Sequence, residues 1–210
     1  MLSKLLSLIA KYLWIEELGW INGIALILAI YVHEYGHYLM ADDLNLKPKH
    51  PRFIPFLGAY VKHDFTLNQK KVYKVVFAGP LLGGIFGLIS FYIYLLFDYN
   101  FIYQFTLYSL LINLTNLIPF SILDGGKISN TVGLKKLNLI ITSILIVIAF
   151  INESYLIIII GILGLISYFS GKASKEKLTP MSKKDKRFGA FIWVVLFIIL
   201  GVHSFLILNQ

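Results

Sequence analysis

The sequence predicts an all-α polytopic membrane protein of about six transmembrane helices, and three observations carry that reading. Hydrophobic residues make up 58% of the 210 positions and charged ones only 14%, against about 25% charged in ordinary soluble domains. Mean hydropathy is +0.76. Apolar runs recur at about 18–40, 72–97, 101–123, 137–151, 154–170 and 188–208, most of them near the ~20 residues that cross a bilayer as a helix. Secreted, disordered and coiled-coil classes are excluded. The chain has no cysteine, which also removes disulfide frameworks, Fe–S clusters, thiolate zinc sites and cysteine nucleophiles. Any metal must be held by His, Asp or Glu.

Taken in order, residues 1–17 read as an interfacial amphipathic helix. Lys4 and Lys11 interrupt the apolar stretch and Glu16–Glu17 follow it, a pattern of the membrane surface and not of a cleaved leader. The loops then differ in charge. Residues 41–71 hold Lys47, Lys49, Arg52, Lys62, Lys70 and Lys71, residues 124–136 add Lys127, Lys135 and Lys136, and 171–187 add seven more. The alternate loops, 98–100 and 152–153, have none. By the positive-inside rule the basic loops face the cytoplasm, and with six spans both termini lie outside. The net charge of +8 is therefore a topology signal, not a nucleic-acid footprint, although 172–187 is able to meet anionic lipid. Spans four and five are short enough to form a tight hairpin.

The first span carries the chemistry. His33 and His37 stand four apart, so on a helix their side chains lie one above the other, about 5–6 Å apart at Cβ. That spacing lets two imidazoles bind one Zn²⁺. Glu34, beside the first of them, reaches a metal-activated water without being a ligand, which is the logic of HExxH. In a soluble helix the same letters often mark a solvated polar stretch. Here Glu34 is the lone Asp, Glu, Lys or Arg between positions 18 and 41. A carboxylate near the bilayer centre costs about 2.5–3.5 kcal/mol on insertion scales, so its presence points to function. A catalytic zinc site needs a third protein ligand, and Asp124 is the candidate. The first and third spans run in the same direction, which puts His37 and Asp124 at comparable depth near the cytoplasmic ends. Asn113 and Asn116, one turn apart on the third span, suit either a substrate backbone or helix–helix hydrogen bonding.

The run His33-Glu34-Tyr35-Gly36-His37, followed by Asn116-x-x-Pro119-x-x-x-x-Asp124-Gly125, resembles the two signatures of the site-2 protease family of intramembrane zinc metalloproteases (peptidase family M50). Phe53-Ile54-Pro55-Phe56-Leu57-Gly58-Ala59-Tyr60-Val61 and Ala78-Gly79-Pro80 agree with it, so the resemblance spans about residues 20–127. It implies His33, His37 and Asp124 as ligands of one Zn²⁺ per chain and Glu34 as catalytic base. It also implies a three-helix catalytic core, a segment at 53–61 that dips into the membrane and binds unwound substrate (Phe56 and Gly58 within it), and a substrate-facing Asn116. Asn113 stays undecided. On this reading the chain is a single membrane-embedded metalloprotease domain, 18–127 being its core and 128–210 additional helices, with no PDZ or CBS domain. Its partners are the lipid bilayer and transmembrane protein substrates, by analogy single-span proteins with a cytoplasmic N-terminus. It lies in the cell membrane of a bacterium, to which the Ile/Lys/Asn-rich usage also points, with the site toward the cytoplasm.

Other features read as structure. Gly79, Gly83 and Gly87 form a small-xxx-small stripe for close helix approach, and Pro80 falls near the start of its helix, where it is tolerated. His50 and His63 read as solvated loop residues and His203 as hydrogen-bonded packing. Two rival functions use the same ligands: a metal transporter, which would need acidic residues along a path across the bilayer, and a catalytically silent scaffold for membrane helices.

Overall fold

The computed structural model describes residues 12–54, 58–64, 66, 68–120, 122–169 and 179–210. Within them the chain is largely helical: α1 (Trp20–Asp43), α2 (Gln69–Phe97), α3 (Asn100–Asn116), α4 (Asp124–Thr131), α5 (Lys135–Ile151), α6 (Tyr155–Phe169) and α7 (Lys183–Leu208). A short pair of strands, β1 (Arg52–Ile54) and β2 (Gly58–Tyr60), stands between α1 and α2. The expected helical fold thus holds in the main, and the pair that follows α1 is antiparallel in the register Arg52↔Tyr60, Phe53↔Ala59, Ile54↔Gly58. Residues 12–18 are helical, and Trp14 packs edge-on against Phe53 of β1, 6.0 Å between ring centroids. The rest of the predicted interfacial helix lies outside the described residues.

Three helices among the described residues are long and apolar enough to cross a membrane: α1, α2 and α7. By length and composition these three bear out half of the six expected spans among the described residues. The apolar run 101–123 does not continue as one helix, because α3 stops at Asn116 and α4 starts only at Asp124. Pro119 explains the stop, since a proline has no N–H for the ladder and disfavours helical backbone just before it. At 17 and 15 residues, α5 and α6 reach only about 25 Å at 1.5 Å per residue. The outer faces carry large exposed apolar side chains, among them Ile89, Leu96, Phe191, Ile198 and Phe205. An apolar exterior of this kind belongs in lipid, and the chain is a membrane protein.

Helices α1, α2 and α3 pack on one another, and α7 packs across α3 and α2. The largest core cluster joins Tyr73, Phe77 and Phe91 of α2, Leu110 of α3, Ile128 of α4 and Trp193, Leu196, Leu200 and Ile207 of α7. Although α7 follows the signatures by some 60 residues, it belongs to this same core. By contrast α5 and α6 pack on each other, and α5 also meets α4. Local chemistry sets the ends: Asn68 caps α2 by accepting from Lys70 N (2.9 Å) and Lys71 N (3.2 Å), and Ser182 caps α7 by accepting from Asp185 N (3.0 Å). Since α2 begins at Gln69, Pro80 is in its interior and not near its start.

Candidate metal centre

Three elements meet at the site. The Nε2 atoms of His33 and His37 stand 3.2 Å apart on α1, as their i,i+4 spacing requires. Asp124 opens α4 and turns Oδ2 toward both, 3.2 Å from His33 Nε2 and 3.0 Å from His37 Nε2. The three donor atoms all lie within 4.8 Å of one another. Asp124 is thus not the end of a continuous span but the first residue of a new helix. A carboxylate in that first turn is favoured by the positive end of the helix dipole.

The chain reverses between α3 and α4 so tightly that a Cβ on Gly125 would overlap the Leu117 and Ile118 carbonyls. Ending α3 frees such carbonyls, and Trp193 on α7 takes one: its Nε1–H donates to Leu117 O at 3.0 Å. A distant aromatic therefore helps hold the turn that delivers Asp124. On the other side, Asn138 of α5 donates to Gly126 O at 3.1 Å and accepts from Thr142 Oγ1 at 3.1 Å, pinning α4 from below.

The second nitrogens of the imidazoles are also assigned. His37 Nδ1 lies 2.8 Å from the Val75 carbonyl, which can only accept, so Nδ1–H donates. Pro80 offers no N–H to the carbonyl of Val76, which loosens the α2 ladder beside that acceptor. His33 Nδ1 lies 2.8 Å from Asn113 Oδ1, while Asn113 Nδ2 donates to Ser109 O at 2.6 Å. The amide is thereby oriented with its oxygen toward the imidazole. With Nδ1 of each ring turned to an acceptor, Nε2 of each is the atom left to face a metal beside the carboxylate oxygen. Three lone-pair atoms converging on one point, with their rear nitrogens fixed as donors, form the donor set that a divalent zinc ion takes.

The glycine stripe of α2 has a more specific purpose than helix contact. A Cβ on Gly79 would fall within the His37 imidazole, and one on Gly83 would fall within the Asn113 amide. Two of the three stripe positions clear space for the metal-facing machinery, while Gly87 packs on Leu110 and Ser109.

Beside the cluster is a cavity of about 450 Å³, lined in part by Glu34, Thr115, Asn116, Ile122 and Lys127 and by Ala59, Tyr60 and Val61 at the end of β2. Glu34 is buried, 8% exposed, yet on the cavity wall. Asn116 also lines it, with its Nδ2 donating to Ile112 O of its own helix at 3.0 Å. Asn113, fully buried, stands behind His33 and away from the cavity wall. Gly58 is in β2, paired with Ile54, while Phe56 lies outside the described residues. His63 lines the cavity, its Nδ1–H donating to Asp64 O at 2.8 Å. His50 stacks on Tyr38, 4.8 Å between ring centres. His203 donates through Nδ1 to Ile199 O and meets the Tyr92 hydroxyl, the packing role expected of it. The sequence reading counted Lys127 only as a basic loop residue, but its Nζ is 3.3 Å from Asp124 Oδ1. The i,i+3 spacing of the two within Asp124-Gly125-Gly126-Lys127 was the available signal.

The family model of peptidase family M50 matches residues 22–106, which hold the paired histidines and stop short of Asp124. The chain is 32% identical over 144 residues to stage IV sporulation protein FB of Bacillus subtilis, covering 60% of this chain and 49% of that protein. It is 28% identical over 118 residues to a zinc metalloprotease of Methanocaldococcus jannaschii, covering 54% of this chain and 34% of the relative. It thus spans about half the length of the first and a third of the second. Over these stretches the chain is similar to peptidase family M50, the family that the two sequence signatures resemble. The cluster of His33, His37 and Asp124 is a site able to hold a metal ion.

Proposed function

We propose that the chain is an intramembrane zinc metalloprotease that hydrolyses peptide bonds within or near transmembrane segments of other membrane proteins. The observation that carries this is the convergence of His33, His37 and Asp124 beside the buried, cavity-facing carboxylate of Glu34. His33, His37 and Asp124 hold one zinc per chain. When bound, zinc supplies Lewis acidity, making water a competent nucleophile near neutral pH and polarising the scissile carbonyl.

The chain's own groups do the rest. Glu34 takes the proton of the attacking water and delivers it to the leaving amine. Asn113 and the Val75 carbonyl fix the imidazoles so that only Nε2 faces inward. A substrate helix hides its carbonyls in internal hydrogen bonds and must unwind first. The segment after α1 dips toward the membrane and receives it: an extended peptide adding to β2 at Gly58–Tyr60 regains main-chain hydrogen bonds while lying along the cavity. Asn116, on the opposite wall, binds the substrate backbone. The basic loops 41–71 and 171–187 face the cytoplasm, so the cavity opens to that side of a bacterial cell membrane. The binding partners are lipid and single-span protein substrates, and no nucleic acid.

The test is co-expression with a model transmembrane substrate. Glu34→Gln should abolish cleavage while the purified variant still retains zinc, because Glu34 is not a ligand. Cleavage at the parent rate by Glu34→Gln would reject the assignment. Zinc flux into vesicles carrying the protein would favour transport instead.

A further inference from the structure

We infer that Lys127 is a positioning residue that restricts Asp124 to one-oxygen ligation and so keeps a position on the metal open for the reaction. The inference rests on the zinc-hydrolase reading of the site and adds to it a residue outside the ligand set. The two oxygens of Asp124 have separate partners. Oδ2 faces the two imidazoles at 3.2 and 3.0 Å, while Oδ1 accepts from Lys127 Nζ at 3.3 Å. Lys127 lies one turn along α4, so the helix itself sets the pairing. The Asp124 side chain is 7% exposed and that of Lys127 54%. The lysine reaches in from the same cavity that Glu34 lines.

The consequence follows from counting donors. A carboxylate turned freely toward zinc is able to use both oxygens. With two imidazoles that makes four protein donor atoms, so a water or substrate oxygen would have to enter as a fifth donor in a crowded set instead of taking a free tetrahedral place. A catalytic site has three protein donors and one open place. Committing Oδ1 to an ammonium by a charge-assisted hydrogen bond leaves Oδ2 alone to face inward. An ammonium this close to a dication also repels it. Lys127 therefore does not strengthen metal binding; it trades affinity for an open site.

That opposition supplies the test, on the full chain in detergent. The protein is stripped with a chelator and reloaded with Co²⁺, whose visible absorption weakens as coordination rises from four to five or six, or with Zn²⁺ for affinity by chelator competition and for turnover. Lys127→Met should show weaker cobalt absorption and a zinc affinity equal to the parent's or up to about tenfold tighter. Its turnover should fall about 10–100-fold, the range for outer-sphere partners of a metal site. Lys127→Arg should retain the parent spectrum and most of the turnover. A merely structural lysine would lose affinity and turnover together. The inference is overturned if Lys127→Met keeps the parent spectrum, or if its affinity drops along with its turnover. Should the parent prove unable to cleave any substrate, the protease reading fails on its own, and the cobalt spectra still decide what Lys127 does.

Discussion

Gly83→Ala adds one methyl group that touches neither the metal ligands nor the cavity, yet it should cost metal affinity. The added Cβ would fall within the Asn113 amide, whose side chain is fully buried and held at both ends, by His33 Nδ1 at 2.8 Å and Ser109 O at 2.6 Å. With no room to shift, the amide must rotate and release the imidazole. Overpacking costs about 1–3 kcal/mol, offset by up to about 1 kcal/mol from replacing glycine inside a helix, so overall stability should fall by about 0–3 kcal/mol. Freeing His33 from its orienting partner should weaken zinc binding about 10–100-fold, or about 1.4–2.8 kcal/mol at 1.4 kcal/mol per decade. Chelator competition on purified protein reads the affinity, and thermal unfolding in detergent reads the stability. The cause is isolated by a double-mutant cycle. On an Asn113→Ala background the amide is gone, so Gly83→Ala should add little further loss. An equal loss on both backgrounds, or parent affinity in Gly83→Ala alone, would refute the argument.

Two further outcomes are expected. Asp124→Ala should take the purified protein from one zinc per chain to essentially none by elemental analysis, since two imidazoles without the buried carboxylate leave the cation uncompensated; retention of stoichiometric zinc would show that another residue closes the site. Trp193→Phe removes the donor to the buried Leu117 carbonyl and should lower stability by about 1–3 kcal/mol, read by denaturant unfolding in detergent, while the apolar packing around residue 193 is largely kept. An unchanged midpoint would mean that the carbonyl finds another donor.

The sequence disclosed the clustered side chains better than the path of the chain between them. His33 and His37 were legible because i,i+4 is a fixed geometric relation on any helix, and Glu34 because a lone carboxylate in an apolar run has no structural reason to be there. Asp124 was found by depth, an argument that survives the break in the third span, since the break is local and leaves the residue at the same end of the bundle. The break itself was obscured by an unbroken apolar run through residue 123, where Pro119 was the one warning. The partners of the glycines were not legible. A small-xxx-small stripe says that something approaches closely, but only the crossing of α1, α2 and α3 determines that the neighbours are an imidazole and an amide. Asn113 was undecided for the same reason. The share of α7 in the core was hidden by distance along the chain, and Lys127 by a charge count that treated every loop cation alike.

On the proposed hydrolytic reading, the interrupted third helix is the device that makes a water-using site compatible with a membrane. Irregular backbone at membrane depth is tolerated only where protein buries it or a polar cavity hydrates it, and residues 117–120 and 122–123 between them meet both conditions. Leu117 and Phe120 are buried against the core, while Ile122 and Leu123 lie along the cavity wall. Had α3 continued unbroken through Asp124, the carboxylate would have hung from the side of a helix whose own carbonyls were satisfied. By stopping and restarting, the chain brings Asp124 in on a helix N-terminus, where its charge is favoured before any metal arrives. The carbonyls left by the stop are exposed to a core that must satisfy them, which is why a tryptophan some 70 residues later is bound to Leu117. The turn, the carboxylate and Trp193 are therefore one cooperative unit, and loss of any of the three should be felt at the other two.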